Sequence, residues 1–150
     1  MNLKPKLFKI WNFWPPFFFS GIKILKVSND YRQVIVKLKL RFWNANYVGT
    51  QYGGSMFSLA DPFYMVMLIQ NLGPKYTVWD KSAHITYLKP GRTDLTAEFT
   101  LTEDDLDAIR SKLEMQNSME WRRKVEIKDA NGIIVAEVDK VLYIKRSKTI

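Results

Sequence analysis

The stretch Asn46-Tyr47-Val48-Gly49-Thr50-Gln51-Tyr52-Gly53-Gly54-Ser55-Met56-Phe57-Ser58-Leu59-Ala60-Asp61 decides how this chain reads, because a glycine-rich turn leads into an apolar helix that carries a carboxylate. From Met56 and Phe57 through Phe63, Met67 and Leu72, the apolar positions surround the whole helical circumference. The spacing predicts one helix over 55–72, buried on every side. An ionised Asp61 inside such a helix costs several kcal/mol of desolvation unless it is paired, hydrogen-bonded or protonated. A site explains why it is kept there. The bland alternative makes Gly53-Gly54 a tight turn and Asp61 merely the neighbour of a helix-breaking proline.

Gly53 and Gly54 sit where the first helical amides have no intrahelical acceptor and the helix dipole is positive. Residues without side chains let a carbonyl oxygen approach those donors, which is the geometry of an oxyanion hole. Pro62 lacks the amide that would bond the Ser58 carbonyl, so a kink is expected at the carboxylate.

Working outward, strands are expected at about 21–28, 31–42, 76–89, 93–101, 119–129 and 133–145 from apolar and polar alternation. Asn131-Gly132 suits a two-residue hairpin turn, and Lys89-Pro90-Gly91-Arg92 marks another reversal, so the order is antiparallel. Thr102 with Asp105 resembles an acidic capping box opening a short polar helix, read as a surface excursion. The fold class is therefore α+β: a curved antiparallel sheet wrapped around one long central helix, in a single domain over 1–150. One sheet leaves a flank of that helix open, which a second copy of the chain would cover.

The chain has no cysteine and a single histidine, His84. Thiolate nucleophiles, disulfides and multi-histidine metal sites within one chain are thereby excluded, and nothing demands an oxidising compartment. Twenty-three Lys and Arg against fifteen Asp and Glu give a formal charge of +8. That balance suits an anionic partner: nucleic acid, an acidic membrane surface or the phosphates of coenzyme A. The basic residues are spread over strand faces, such as Lys37, Lys39 and Arg41, which argues against a nucleic-acid patch. At the N-terminus an aromatic helix is expected at about 4–14, ended by Pro15-Pro16. Its aromatics would pack over a partner subunit or substrate tunnel, or touch a membrane surface. The prolines break any signal-peptide core, so a cytoplasmic location is expected.

Asn46, Gly49, Thr50, Gly53-Gly54 and the helical Asp61 resemble the Asn-x-x-Gly-Thr-x-His-Gly-Gly loop and acid of PaaI-type acyl-coenzyme A thioesterases, which have the hot-dog fold. Ile85 to Gly91 resembles the following strand and turn. Asn12 to Pro16, Asp61 to Tyr64 and Val78 to Ser82 resemble a less characterised hot-dog family, a domain of unknown function, over nearly the whole chain.

The resemblance implies that Asp61 activates water or attacks a thioester carbonyl, that the Gly53 and Gly54 amides polarise it, and that Asn46 orients water or the acid. Tyr52 stands where the family has histidine; a phenol still donates a hydrogen bond but is bulkier and titrates near ~10. Asp80, Ser82 and His84, read as one strand face, are secondary candidates for the site. Lys81, Lys89 and Arg92 are candidate contacts for coenzyme A phosphates. The expected partners are an acyl-coenzyme A or acyl-carrier thioester and further copies of the chain, as a homodimer or homotetramer. No separate cofactor is expected, coenzyme A being part of the substrate. A hydratase does not fit, since the histidine it places five residues after the acid is Val66 here. The competing function is a non-catalytic module that binds acyl-coenzyme A or an acyl carrier.

Overall fold

Six strands form where the alternation places them: β1 (Ile22–Val27), β2 (Gln33–Leu38), β3 (Tyr76–Tyr87), β4 (Leu95–Thr100), β5 (Ser118–Lys128) and β6 (Ile134–Arg146). The structure, a computed structural model, describes residues 9–147. Every pairing is antiparallel, in one sheet ordered β1-β2-β4-β5-β6-β3. Val34, Val36 and Leu38 of β2 are buried while Gln33, Ile35 and Lys37 between them are only half-covered. That is the period-two signature of a sheet with one packed face. β3 and β1 are the edges, and β3 is the longer, with Trp79 and Tyr87 exposed on it.

Against the packed face lies the expected central helix, interrupted at Asp61-Pro62 into two segments, α2 (Gly53–Ala60) and α3 (Phe63–Leu72), following a short N-terminal α1 (Pro15–Ser20). The expected kink is a break. Without a Pro62 amide the ladder cannot pass, so the Asp61 amide turns back to the Ser58 carbonyl at 3.3 Å and the next helix starts with Val66 donating to Pro62. Leu59, Phe63, Met67 and Leu68 on these helices share one core with Val36, Phe99 and Leu142 of the sheet.

Burial is not all-round, however. Ile69 is exposed, and the Asp61 side chain is 57% exposed. The expectation of a carboxylate buried inside the helix is therefore corrected: the break turns Asp61 outward at the end of α2.

Three further expectations change. Pro15-Pro16 opens α1 rather than ending a helix, because proline's fixed φ and missing donor suit a first turn. Before it, Lys9–Phe13 is a 3-10 turn, and residues 4–8 of the expected helix lie outside the described residues. The β5–β6 turn has three residues, not two. Asp129 and Ile133 close it, the Asp129 carboxylate accepts from the Asn131 and Ile133 amides, and Gly132 takes a φ of 79°. A left-handed glycine at that place is the usual chemistry of a three-residue hairpin.

Finally, α4 (Glu103–Met115) has the Thr102–Asp105 capping box but is no mere excursion: Leu106, Ile109 and Leu113 form a fully buried stripe. Asn12 anchors the N-terminal segment by imitating a strand, its Oδ1 accepting from the Ile24 amide at 2.7 Å and its Nδ2 donating to the Ile24 carbonyl at 3.3 Å. No helix among the described residues is long and apolar enough to cross a membrane.

Candidate active site

The loop before α2 is held by Asn46. Its Oδ1 accepts from the Val48 and Thr50 amides, and its Nδ2 donates to Thr50 Oγ1 at 2.8 Å. That side chain is engaged in shaping the loop.

Gln51, which drew no attention in the sequence, is almost fully buried, and its Nε2 ties the loop to the Leu38 and Thr93 carbonyls. Its Oε1 has no protein partner among the described residues. The residue lines a cavity of about 420 Å³ with Gly53, Tyr87, Lys89 and Gly91.

Both glycines lie close against a tyrosine ring. A Cβ on Gly53 would lie 2.8 Å from the Tyr87 hydroxyl oxygen, and one on Gly54 would lie 2.5 Å from Cε1 of Tyr52. Tyr52 accordingly lies over Gly54, and that glycine faces a different cleft, shared with Phe19 and Trp43.

At the far end of α2, Lys140 is the residue the sequence reading overlooked. It stands on β6, only 1% exposed, with Nζ 2.7 Å from Asp80 Oδ1 and 3.4 Å from Asp61 Oδ1, and it donates to the Asp61 carbonyl at 2.7 Å. Alternation would have exposed it, because Val138, Lys140 and Leu142 share the inward face of β6. A lysine at an inward position is a stronger signal than a lysine on a strand at large.

Burial is the main reason the Asp80 carboxyl is held above its ordinary 3.8; the Lys140 ammonium pulls it back and the Asp61 charge adds a smaller upward push. The folded state thus holds this proton more tightly than the unfolded chain. Its contribution to stability is complete below about 3.8 and is lost as pH rises through the higher folded value. Against Asp80→Asn, which does not titrate, the wild-type thermal midpoint should therefore lose ground as pH rises from about 4 through the elevated folded value. A constant difference across that range would contradict the assignment.

The expectation that Asp80, Ser82 and His84 share a face is corrected by a bulge. The register between β3 and β6 slips at Lys81, pairing Asp80 with Leu142 but Ser82 with Val141 and His84 with Asp139. An extra residue reverses the alternation. Asp80 stays with the inward Val78, while Ser82 and His84 turn to the outer face, away from Asp61. Lys81 is ion-paired with Glu120. Lys89 and Arg92 are exposed at the β3–β4 turn, with no ion pair recorded for either among the described residues, and Lys89 borders the Gly53 cavity.

Asp61 opens onto a third hollow, an apolar cleft of about 630 Å³ walled by Ile10, Trp11, Phe13, Trp14, Pro62 and Met65. Trp11 and Trp14 lie 6.1 Å apart there, and Phe17 links them to Phe63 behind the break, 5.9 Å between centroids.

Seven residues of helix separate Asp61 from Gly54, about 10 Å of rise. One chain therefore brings Asp61, Lys140 and Asp80 together and brings Gly53, Gln51, Tyr87 and Lys89 together, but it does not bring the acid to the amides. No group of three or more metal-ligating side chains occurs among the described residues.

Among solved structures, a Pseudomonas aeruginosa protein of unknown function and probable thioesterase is 18% identical, covering 98% of this chain and 99% of its own, with a TM-score of 0.83. A thioesterase from Haemophilus influenzae is 15% identical over 97% of this chain and 93% of its own, with a TM-score of 0.70. A protein of unknown function from Chlorobaculum tepidum is 17% identical over 95% and 94%, with a TM-score of 0.74. At these identities the likeness establishes the hot-dog fold. No match was found among curated protein sequences. The model of a family described as a domain of unknown function, DUF4442, matches residues 6–144, and this chain belongs to that family.

Proposed function

We propose that the protein hydrolyses an acyl thioester, with Asp61 at the reacting carbonyl and the Gly53 and Gly54 amides polarising it. The observation that carries this is Asp61 itself, an accessible carboxylate at the mouth of an apolar, aromatic-walled cleft. Such a hollow suits an acyl chain, with the reacting carbonyl at its polar end. The thioesterases of like fold support the same direction.

In the general-base course, Asp61 takes a proton from water as its oxygen adds to the carbonyl. The oxyanion is met by the two helix-start amides, the carbon–sulfur bond breaks and the thiolate leaves. In the nucleophilic course, the Asp61 carboxylate adds to the carbonyl and expels the thiolate, and water then cleaves the resulting anhydride. Because acid and amides are about 10 Å apart along α2, the site is composite. A second copy docking along the free β3 edge supplies the other half, as a homodimer or a dimer of dimers. Lys89, beside the Gly53 cavity, and Arg92, in the same exposed turn, have no ion pair among the described residues and are the cations we assign to coenzyme A phosphates.

The second function, a module that binds acyl thioesters without cleaving them, is favoured by the Tyr52 ring, which crowds Gly54 where the family resembled has a histidine. A panel of acyl-coenzyme A esters and an acyl-carrier thioester, read by release of free thiol, separates the two. Hydrolysis is expected to favour medium or long acyl chains. Binding without thiol release across the whole panel would establish the module instead.

A further inference from the structure

We propose that the surface built by α1 and the 41–48 loop docks on an anionic lipid membrane, its aromatic side chains entering the headgroup layer while Lys23, Lys39 and Arg41 meet lipid phosphates. Two independent features of the chain converge on this surface.

The first is apolar exposure. Phe42 is 90% and Phe19 66% exposed, with Phe13, Phe18 and Trp43 also open to solvent. These side chains are not scattered. Phe18 packs edge-on against Phe19 at 5.5 Å, and Phe42 packs edge-on against Trp43 at 5.0 Å. A cavity of about 330 Å³ joins Phe13, Phe18 and Trp43, and Trp43 also borders the cleft that Phe19 lines. A continuous aromatic surface of this kind marks an interaction site, whereas single exposed residues do not. Rigid aromatic rings that bury their faces and keep a wet edge are the side chains a membrane interface prefers.

The second is where the charge resides. Residues 1–60 contain nine Lys and Arg against a single acid, Asp30, whereas residues 61–150 contain fourteen of each sign. The formal charge of +8 therefore comes entirely from the part of the chain that carries the aromatic surface. Lys23, Lys39 and Arg41 line the same cavity as Phe13, Phe18 and Trp43. No ion pair is recorded for these three among the described residues, whereas Arg122, Lys124 and Lys128 on β5 are each paired with a glutamate. The neighbouring carboxylate, Asp94, is already engaged with Lys37 and the Leu40 amide.

A second copy of the chain is a poor occupant, because a two-fold contact would place like charge against like. An anionic bilayer accepts both the cations and the rings.

The test is co-sedimentation of the full chain with vesicles of phosphatidylcholine alone or mixed with phosphatidylglycerol. Binding is expected to the mixed vesicles, weakly or not at all to the neutral ones, and to fall as salt rises. Phe19→Ser with Phe42→Ser, both at exposed positions, should keep the thermal midpoint and lose tenfold or more in binding, an order-of-magnitude expectation for removing two inserted rings. Lys23→Gln with Arg41→Gln tests the charge separately and should cost about fivefold per residue on anionic vesicles. Absence of binding to the mixed vesicles, equal binding to both kinds, or aromatic and charge variants that bind like wild type would each overturn the proposal. So would an aromatic variant that changes oligomeric state in sedimentation without any vesicle binding by the parent, because the surface would then be a contact between copies.

Discussion

Asp61→Asn should lower thioester turnover by roughly a hundredfold or more, the scale of a positioned acid–base group, while substrate still binds. The asparagine keeps the volume and the hydrogen bonds but cannot take a proton or attack. Stability should barely move. The side chain is 57% exposed and its carboxylate is 3.4 Å from Lys140, so the lost ion pair is worth under about 1 kcal/mol after solvent screening. The shorter contact, from Lys140 to the Asp61 main-chain carbonyl at 2.7 Å, survives the substitution. A gain in stability from relieving a buried charge is not expected, because the helix break has already put the carboxylate at the surface.

The composite site makes a sharper demand. Gly53→Val, whose side chain must displace the Tyr87 phenol, should be inactive alone. Mixed with Asp61→Asn, it should regain activity, because one of the two sites in a mixed dimer then carries an intact acid and intact amides. Two inactive variants that stay inactive after subunit exchange would falsify the shared site, and unchanged turnover in Asp61→Asn would remove the catalytic role.

The strands were legible because each buries one face: Val34, Val36 and Leu38 alternate with half-covered neighbours, and that pattern survives any tertiary context. The central helices were legible in position but not in continuity. An apolar run reports burial, yet whether a helix bends or breaks at Pro62 depends on where Asp61 finds a donor, and that donor comes from β6, 79 residues away.

The grouping of Asp80 with Ser82 and His84 failed for a related reason. A bulge at Lys81 is set by pairing with β6, not by the local sequence of β3, and one extra residue reverses every later side chain. Gly53-Gly54 reads in the sequence as a place without side chains, but the rings that pack against it, Tyr87 and Tyr52, come one from a distant strand and one from next door. Lys140 was the signal in plain view, a cation in phase with Val138 and Leu142.

That lysine carries the largest stability effect expected here. Lys140→Met keeps the length and apolar stem but leaves two groups without their donor: the Asp80 carboxylate, 2.7 Å away, and the Asp61 carbonyl at the helix break. Removing one member of a buried ion pair costs about 3–5 kcal/mol, because the other charge stays desolvated. Asp80 is 23% exposed, which moves the expectation to the lower end, about 3 kcal/mol, or roughly 10 °C in thermal midpoint for a chain of this size.

Two consequences distinguish this from generic core damage. Without the ammonium, the Asp80 carboxyl should rise further above its ordinary value, so the penalty should shrink on acidification as that group takes up a proton. Adding Asp80→Asn to Lys140→Met should recover much of the loss, since the stranded charge is gone, whereas damage from poor packing would persist in the double variant. Turnover should fall in Lys140→Met even where the fold is held by low temperature, because the same Nζ fixes the main chain from which Asp61 projects. A single variant that costs less than about 1 kcal/mol, or a double variant no more stable than the single, would show that the pair does not hold the break in place.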